Sequence, residues 1–180
     1  DTVDVDIPAF DHDGDGRPLG LRIEGPATNL LRYSNGFDNA LWEKDSNVAI
    51  ASSTMAAPDG SQTATQLDLP ATGGLYQRVD NLSAGETHAF AIWMRAVSGT
   101  AEVTLGGING PSAHAVTLDE RWQRVGFVEA ASATTRYPKI STAISGNAAS
   151  ILIWNAQLEQ GVFSTSDIIS PGIPAVRGGD

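Results

Sequence analysis

Short runs of alternating apolar and polar residues, each ended by glycine or proline, recur through this chain. That recurrence restricts the fold more than any other feature. Side chains of a strand alternate between its two faces, so runs of period two read as half-buried strands. Thr87–Val97 is the strongest: His88, Phe90, Ile92, Met94 and Ala96 fall on one face, and Ala89, Ala91, Trp93 and Arg95 on the other. Ile151–Gly161 alternates as cleanly, with Leu152, Trp154, Ala156 and Leu158 on a core face and Ile153, Asn155, Gln157 and Glu159 on a polar one. Shorter runs span Leu19–Glu24, Asn47–Ile50, Ala64–Leu69, Leu75–Val79, Ala101–Leu105, Ala113–Leu118, Trp122–Val128 and Tyr137–Ile144. Turn signals such as Pro58-Asp-Gly60, Gly73-Gly74 and Gly146-Asn147 separate them, at a spacing of roughly 8–12 residues. Helical spacing shows only at Phe37 and Leu41, which predict one short turn plugging an end of the fold. The pattern predicts an all-β chain, a β-sandwich of jelly-roll type with about nine to eleven short strands.

Residues 1–18 read as an N-terminal connector, 19–170 as the jelly-roll domain and 171–180 as a C-terminal tail. A chain of 180 residues with 41% hydrophobic content can bury one real core. The net charge of -10 argues against nucleic acid and against anionic membrane surfaces, which both need clustered cations. No apolar run approaches the roughly 20 residues of a membrane helix, so no membrane insertion is expected. The absence of cysteine excludes disulfides, thiolate metal sites and cysteine nucleophiles.

Asp11-His-Asp-Gly-Asp-Gly16 begins as a calcium-binding loop of the EF-hand kind does, with Asp11, Asp13 and Asp15 as ligands. The twelfth position should carry a bidentate carboxylate. Here it is Arg22, and Glu24 comes two residues late. The run therefore reads either as a structural Ca2+ site or as an acidic, solvated turn, and no other cofactor is expected.

Catalytic signatures are sparse. The histidines are His12, His88 and His114, and no Gly-x-Ser-x-Gly elbow, His-Glu-x-x-His pair or phosphate-cradling glycine loop occurs. Glu24, Glu102, Glu129 and Glu159 lie on or near strands, and spacing alone does not say whether any two face each other as a glycosidase requires. A non-catalytic chain is the expectation. Binding of a sugar needs an aromatic face for the apolar side of the ring and planar polar groups for its hydroxyls. Trp93 with Arg95, Tyr76 with Arg78, and Asn155 with Gln157 supply these groups if their strands adjoin in one sheet. Tyr137, before Pro138, is a further candidate at a sheet edge. Alternatively, Trp93 packs beneath a long loop, or Trp93, Ile151 and Ile153 mark an interface of a structural adaptor. Trp122 and Trp154 are expected in the core, and Glu159 in local hydrogen bonds near its strand end.

A wider pattern joins these pieces. Gly20-Leu-Arg-Ile-Glu24, Thr28-Asn-Leu-Leu31, Tyr33-Ser-Asn35, Phe37, Asn39-Ala40 and Trp42 are followed in order by Ala57-Pro-Asp-Gly60, Phe90–Arg95 and Trp122-Gln-Arg124. Trp154, Ala156-Gln-Leu-Glu159 and Val176-Arg177 complete the set. It resembles a pattern of bacteriophage tail and virion attachment proteins, gene transfer agent spikes included, which in turn resemble jelly-roll carbohydrate-binding modules appended to glycanases. The resemblance implies a non-catalytic domain on the surface of a virion or phage-like particle that binds cell-surface polysaccharide. Its partners would be that polysaccharide, other virion proteins and further copies of itself as a homo-oligomer. An adaptor domain of a spike without glycan binding and a glycanase-appended module are the alternatives. The chain departs from the pattern at Asp167, where an aromatic is usual, and in the acidity of Asp11–Gly16.

Overall fold

The computed structural model describes residues 10–12 and 18–21 by their backbone, and residues 24–53, 55–107, 113–131 and 133–179 in full. Asp13 and Asp15 lie outside the described residues, as does the side chain of Asp11.

Fourteen strands are present among the described residues. They are β1 (Phe10–His12), β2 (Pro18–Leu21), β3 (Ala27–Asn29), β4 (Trp42–Lys44), β5 (Ala49–Ser52), β6 (Thr65–Leu69) and β7 (Gly74–Gln77). Then follow β8 (Thr87–Ala96), β9 (Ala101–Gly107), β10 (Ala113–Leu118), β11 (Gln123–Ala130), β12 (Pro138–Ser141), β13 (Ala149–Gln160) and β14 (Ala175–Arg177). Ten of them build two five-stranded antiparallel sheets, in the orders β10-β9-β12-β7-β4 and β11-β8-β13-β6-β5. Two short pairs, β1-β2 and β14-β3, stand apart from these sheets. The β14 pairing ties residues 175–177, expected as a tail, back to Ala27–Asn29. Arg177 of β14 also ion-pairs with Glu24.

The two sheets enclose one core. Leu75, Val103, Leu105 and Ile140 from the first meet Leu67, Phe90, Ile92, Met94, Ile151 and Ile153 from the second, all buried. Each such side chain contributes about 1.5–3 kcal/mol by leaving water. Phe37 and Trp42 close one end with rings 5.0 Å apart. No helical turn forms there. Asn39 N–H reaches the Gly36 carbonyl and Trp42 N–H the Asn39 carbonyl, so consecutive tight turns carry the chain into β4. These turns bury Trp42 in place of Leu41, which is exposed.

β13 corrects one expectation. Its first half sends Ile151 and Ile153 into the core and turns Leu152 and Trp154 outward. The register then shifts between Trp154 and Gln157, and Ala156 and Leu158 face the core. The extra residue is a β-bulge centred on Asn155, which has φ 46°. Asparagine is among the few residues that tolerate this left-handed conformation. Beyond the bulge β6 no longer pairs with β13, and residues 29–35 take its place. Leu30 N–H bonds the Leu158 carbonyl, and Ala156 N–H bonds the Ser34 carbonyl. Asn29 donates to the carbonyls of Ala156 and Ile168 and accepts from the N–H groups of Leu31 and Leu158. Its amide is thereby fully satisfied.

Candidate functional site

The six residues expected to bind ligand do not share a surface. Trp93 and Arg95 lie on β8, and Asn155 and Gln157 on β13, in the second sheet, whereas Tyr76 and Arg78 belong to β7 and its extension in the first. Core packing separates the two groups, because each sheet turns one face inward.

The outer face of the second sheet is largely covered. Trp93 and Trp154 pack there with Trp122, Ala57 and Ala64, away from the main core. Trp154, expected in the main core, is buried instead by the loop before β6, and its Nε1–H donates to Thr63 Oγ1 (2.9 Å). Trp122 Nε1–H donates to the Ala56 carbonyl. Half-buried Trp93 gives its Nε1–H to the Asp167 carboxylate (3.1 and 3.2 Å), which also ion-pairs with Arg124. Arg95 is half-buried and its Nε–H donates to the Ala96 carbonyl.

Asn155 and Gln157 are fully buried, so neither offers its amide to a solvent-borne ligand. Gln157 Oε1 accepts from Ile168 N–H, and its Nε2 donates to Glu159 and to the Ser166 carbonyl. Glu159 accepts also from Ser164 Oγ, Thr165 N–H and Thr165 Oγ1. The polar face of β13 is a clamp that holds residues 164–168 against the sheet. A buried carboxylate requires such a set of donors.

The outer face of the first sheet is different. The register sets Ala113, Gly106, Lys139, Tyr76 and Glu43 in one row across all five strands. A neighbouring row holds Ala115, Thr104, Ser141 and Gly74, of which Ala115 is exposed and the other three are buried. At β10 and β9 the floor is therefore made of small residues, with taller groups at β12, β7 and β4. Tyr76 is half-buried and its phenol donates to Glu43 Oε2 (3.1 Å). The Tyr137 ring stands edge-on to it, 6.0 Å away at 72°. Lys139 Nζ lies 5.6 Å from the Tyr76 ring centre and 3.0 Å from Asp45 Oδ2. Arg78 Nε bonds Asp80 Oδ1 (2.9 Å), which accepts also from Thr135 Oγ1. Past β4 the face continues into a groove lined by Arg32, Leu41, Glu43, Arg78, Asp80 and Asn81.

Electrostatics shifts Tyr76 and Asp80 in opposite directions. Burial first, then the hydrogen bond to Glu43 and its charge, push the Tyr76 phenol above the usual tyrosine range, so it remains a donor at neutral pH. The hydrogen bond from Arg78 holds the Asp80 carboxyl below its ordinary range. Two aromatic rings with planar charged pairs at their edges can pack the apolar side of a sugar ring and bond its hydroxyls. Sequence reasoning picked out Tyr76, Arg78 and Tyr137 but missed Glu43, Asp45, Asp80 and Lys139. Lys139 stands two residues after Tyr137, and that period-two spacing was the available signal for it.

No family model matches the sequence, and no curated protein matches it. Likeness appears among solved structures. The carbohydrate-binding module TmCBM61, solved in complex with β-1,4-galactotriose, matches with a TM-score of 0.52 at 17% identity, over 74% of this chain and 99% of that one. The CBM22-1 xylan-binding domain of Xyn10C from Paenibacillus barcinonensis gives 0.50 at 16% identity, over 80% of this chain and 99% of that one. The CBM22-1–GH10 modules of the Clostridium thermocellum xylanase 10B give 0.51 at 8% identity, over 81% of this chain and 30% of that one. At these identities the likeness is one of fold, and the fold is a β-sandwich of jelly-roll type.

Proposed function

We propose that this chain is a glycan-binding module that seats an oligosaccharide on the outer face of the β10-β9-β12-β7-β4 sheet. The Tyr76–Tyr137 pair, flanked by Arg78–Asp80 and Lys139–Asp45 beside a floor of small residues, is the observation that carries this reading. Tyr76 and Tyr137 pack the sugar rings. Arg78, Asp80 and Glu43 bond hydroxyls. The jelly-roll fold shared with modules described in complex with galactotriose and as xylan-binding supports it.

Two settings fit. The sequence pattern of phage attachment proteins points to cell-surface polysaccharide, with the domain carried on a phage-like particle beside other virion proteins and assembled as an oligomer. The likeness to part of a chain that holds the CBM22-1 and GH10 modules of a xylanase supports a glycanase-appended module equally well.

Titration calorimetry against a panel of soluble polysaccharides and bacterial capsules tests the reading. Binding of at least one glycan is expected, weakened about tenfold or more by Tyr76→Ala and little changed by Trp93→Ala. Binding abolished by Trp93→Ala but untouched by Tyr76→Ala would move the site to the other sheet.

A further inference from the structure

Two cations on the strands of this face, Lys139 and Arg78, are bound to carboxylates of the same face, while Arg32, in the groove past β4, gives its Nε–H to the Gly172 carbonyl. Lys139 is 3.0 Å from Asp45, and Arg78 is 2.9 Å from Asp80. With Glu43 added, the five groups sum to one net negative charge, from two cations and three carboxylates. The posture of Lys139 has a specific cause. Gly74 sits beside it on β7, and a Cβ there would occupy the place of Lys139 Cε and crowd its Nζ. With glycine there the lysine stem lies flat along the sheet and reaches Asp45, and a Cβ would push the flexible end of the lysine aside. The ammonium is thus drawn down onto a carboxylate, with its side chain only 23% exposed.

Resting on the glycan-binding reading, we propose that Gly74 and Asp45 determine the charge of the ligand. They neutralise and flatten Lys139, so that the face takes a neutral, hydroxyl-bearing oligosaccharide and refuses uronic-acid or sulfated chains. An anionic sugar seated at Lys139 or Arg78 would have to displace Asp45 or Asp80 from its cation, at the approach to a protein of net charge -10. A neutral sugar needs no displacement, because each ion pair still offers donors and acceptors to hydroxyls. The row from Ala113 to Glu43 crosses five strands. Four inter-strand steps of about 4.8 Å give about 19 Å, room for several sugar units and not one alone.

The test compares the folded wild type with Asp45→Asn and Gly74→Ala. Each is titrated with neutral polysaccharides (β-1,4-galactan, xylan) and anionic ones (polygalacturonate, alginate) at low and high salt. Melting curves verify that each variant folds. In Gly74→Ala the obstructing atoms are the end of a flexible lysine, and the backbone meets the new methyl at 3.1 Å, at the Ile140 carbonyl. Wild type is expected to bind a neutral chain with little salt dependence. Both variants release the ammonium, so the ratio of anionic to neutral affinity should rise about fivefold at low salt and fall back at high salt. Preferential, salt-sensitive binding of polygalacturonate or alginate by the wild type overturns this inference and leaves the glycan reading standing. So does an unchanged ratio in both variants. Failure of the wild type to bind any polysaccharide overturns the glycan reading and this inference together.

Discussion

Trp93 of β8 and Trp154 of β13 lie directly opposite each other across the second sheet, on the face turned away from the main core. They form, with Trp122, a second and smaller hydrophobic cluster roofed by the loop that carries Ala57 and Ala64. The tryptophans hold loops in place on this sheet, and the candidate site lies on the opposite one.

The two partners of this pair should differ in cost. Trp154 is 2% exposed, and Trp154→Ala should lower stability by about 3–5 kcal/mol. Half-buried Trp93 should lose less, about 2 kcal/mol on Trp93→Ala. Urea denaturation followed by circular dichroism measures both. Equal losses would mean that the cluster is not roofed as described.

The bulge at Asn155 makes a prediction of opposite sign for two substitutions. Its φ of 46° suits glycine, and its buried side-chain amide finds no hydrogen-bonding partner among the described residues. Asn155→Gly should therefore be neutral or stabilising, because it relieves the backbone and removes unpaired polar atoms. Asn155→Val should cost about 1–3 kcal/mol, since a β-branched residue resists the left-handed conformation. Thermal melts of the two variants decide it.

Glu159 accepts hydrogen bonds from Gln157, Ser164 and both the backbone and side chain of Thr165. Removal of its carboxylate leaves those donors buried and unmatched. Glu159→Ala should cost about 3–5 kcal/mol and release residues 164–168 from the sheet. Native-state hydrogen exchange should then show early loss of protection in that segment, ahead of β8. Uniform protection across the chain would contradict the clamp.

His88 should make the fold sensitive to acid. It is buried, with Glu129 directly opposite on β11, Glu86 4.0 Å from its Nε2 and Arg136 ion-paired to Glu129 nearby. Burial first, then the Arg136 charge, hold its pKa below the ordinary histidine value; the charge of Glu86 opposes them. The unfolded chain therefore binds the proton more readily than the folded one. This contribution to stability is complete above the unfolded pKa of about 6.5 and is lost as pH falls through the lower folded value. Denaturation midpoints should drop below about pH 6.5, and His88→Phe should flatten that slope. A wild-type profile parallel to that of His88→Phe would remove the histidine from the account.

Much of the fold was legible in local pattern. Thr87–Val97 presents Phe90, Ile92 and Met94 inward and Trp93 and Arg95 outward, as its alternation requires. Alternation is a property of the strand itself, so neighbouring residues suffice to reveal it. The polar face of β13 misled for the same reason. Asn155, Gln157 and Glu159 read as a wet surface because the residues that bury them, 29–35 and 164–168, are remote or follow the strand in an irregular segment. The candidate site was half visible. Tyr76 and Arg78 stood out, but their companions Glu43, Asp45 and Lys139 come from two other stretches of sequence.

By itself the sequence determined the all-β class, the positions of the longest strands and the inward face of β8, because these follow from the two-residue period and from glycine and proline at turns. The tertiary structure alone decided which sheet each strand joins. It therefore decided that Trp93 and Tyr76 stand on opposite outer faces of the sandwich. Strand order depends on pairings between distant segments, as when β12 inserts between β9 and β7 and brings Lys139 beside Tyr76. It also placed the bulge at Asn155, where one residue in a left-handed conformation reverses the faces of everything after it.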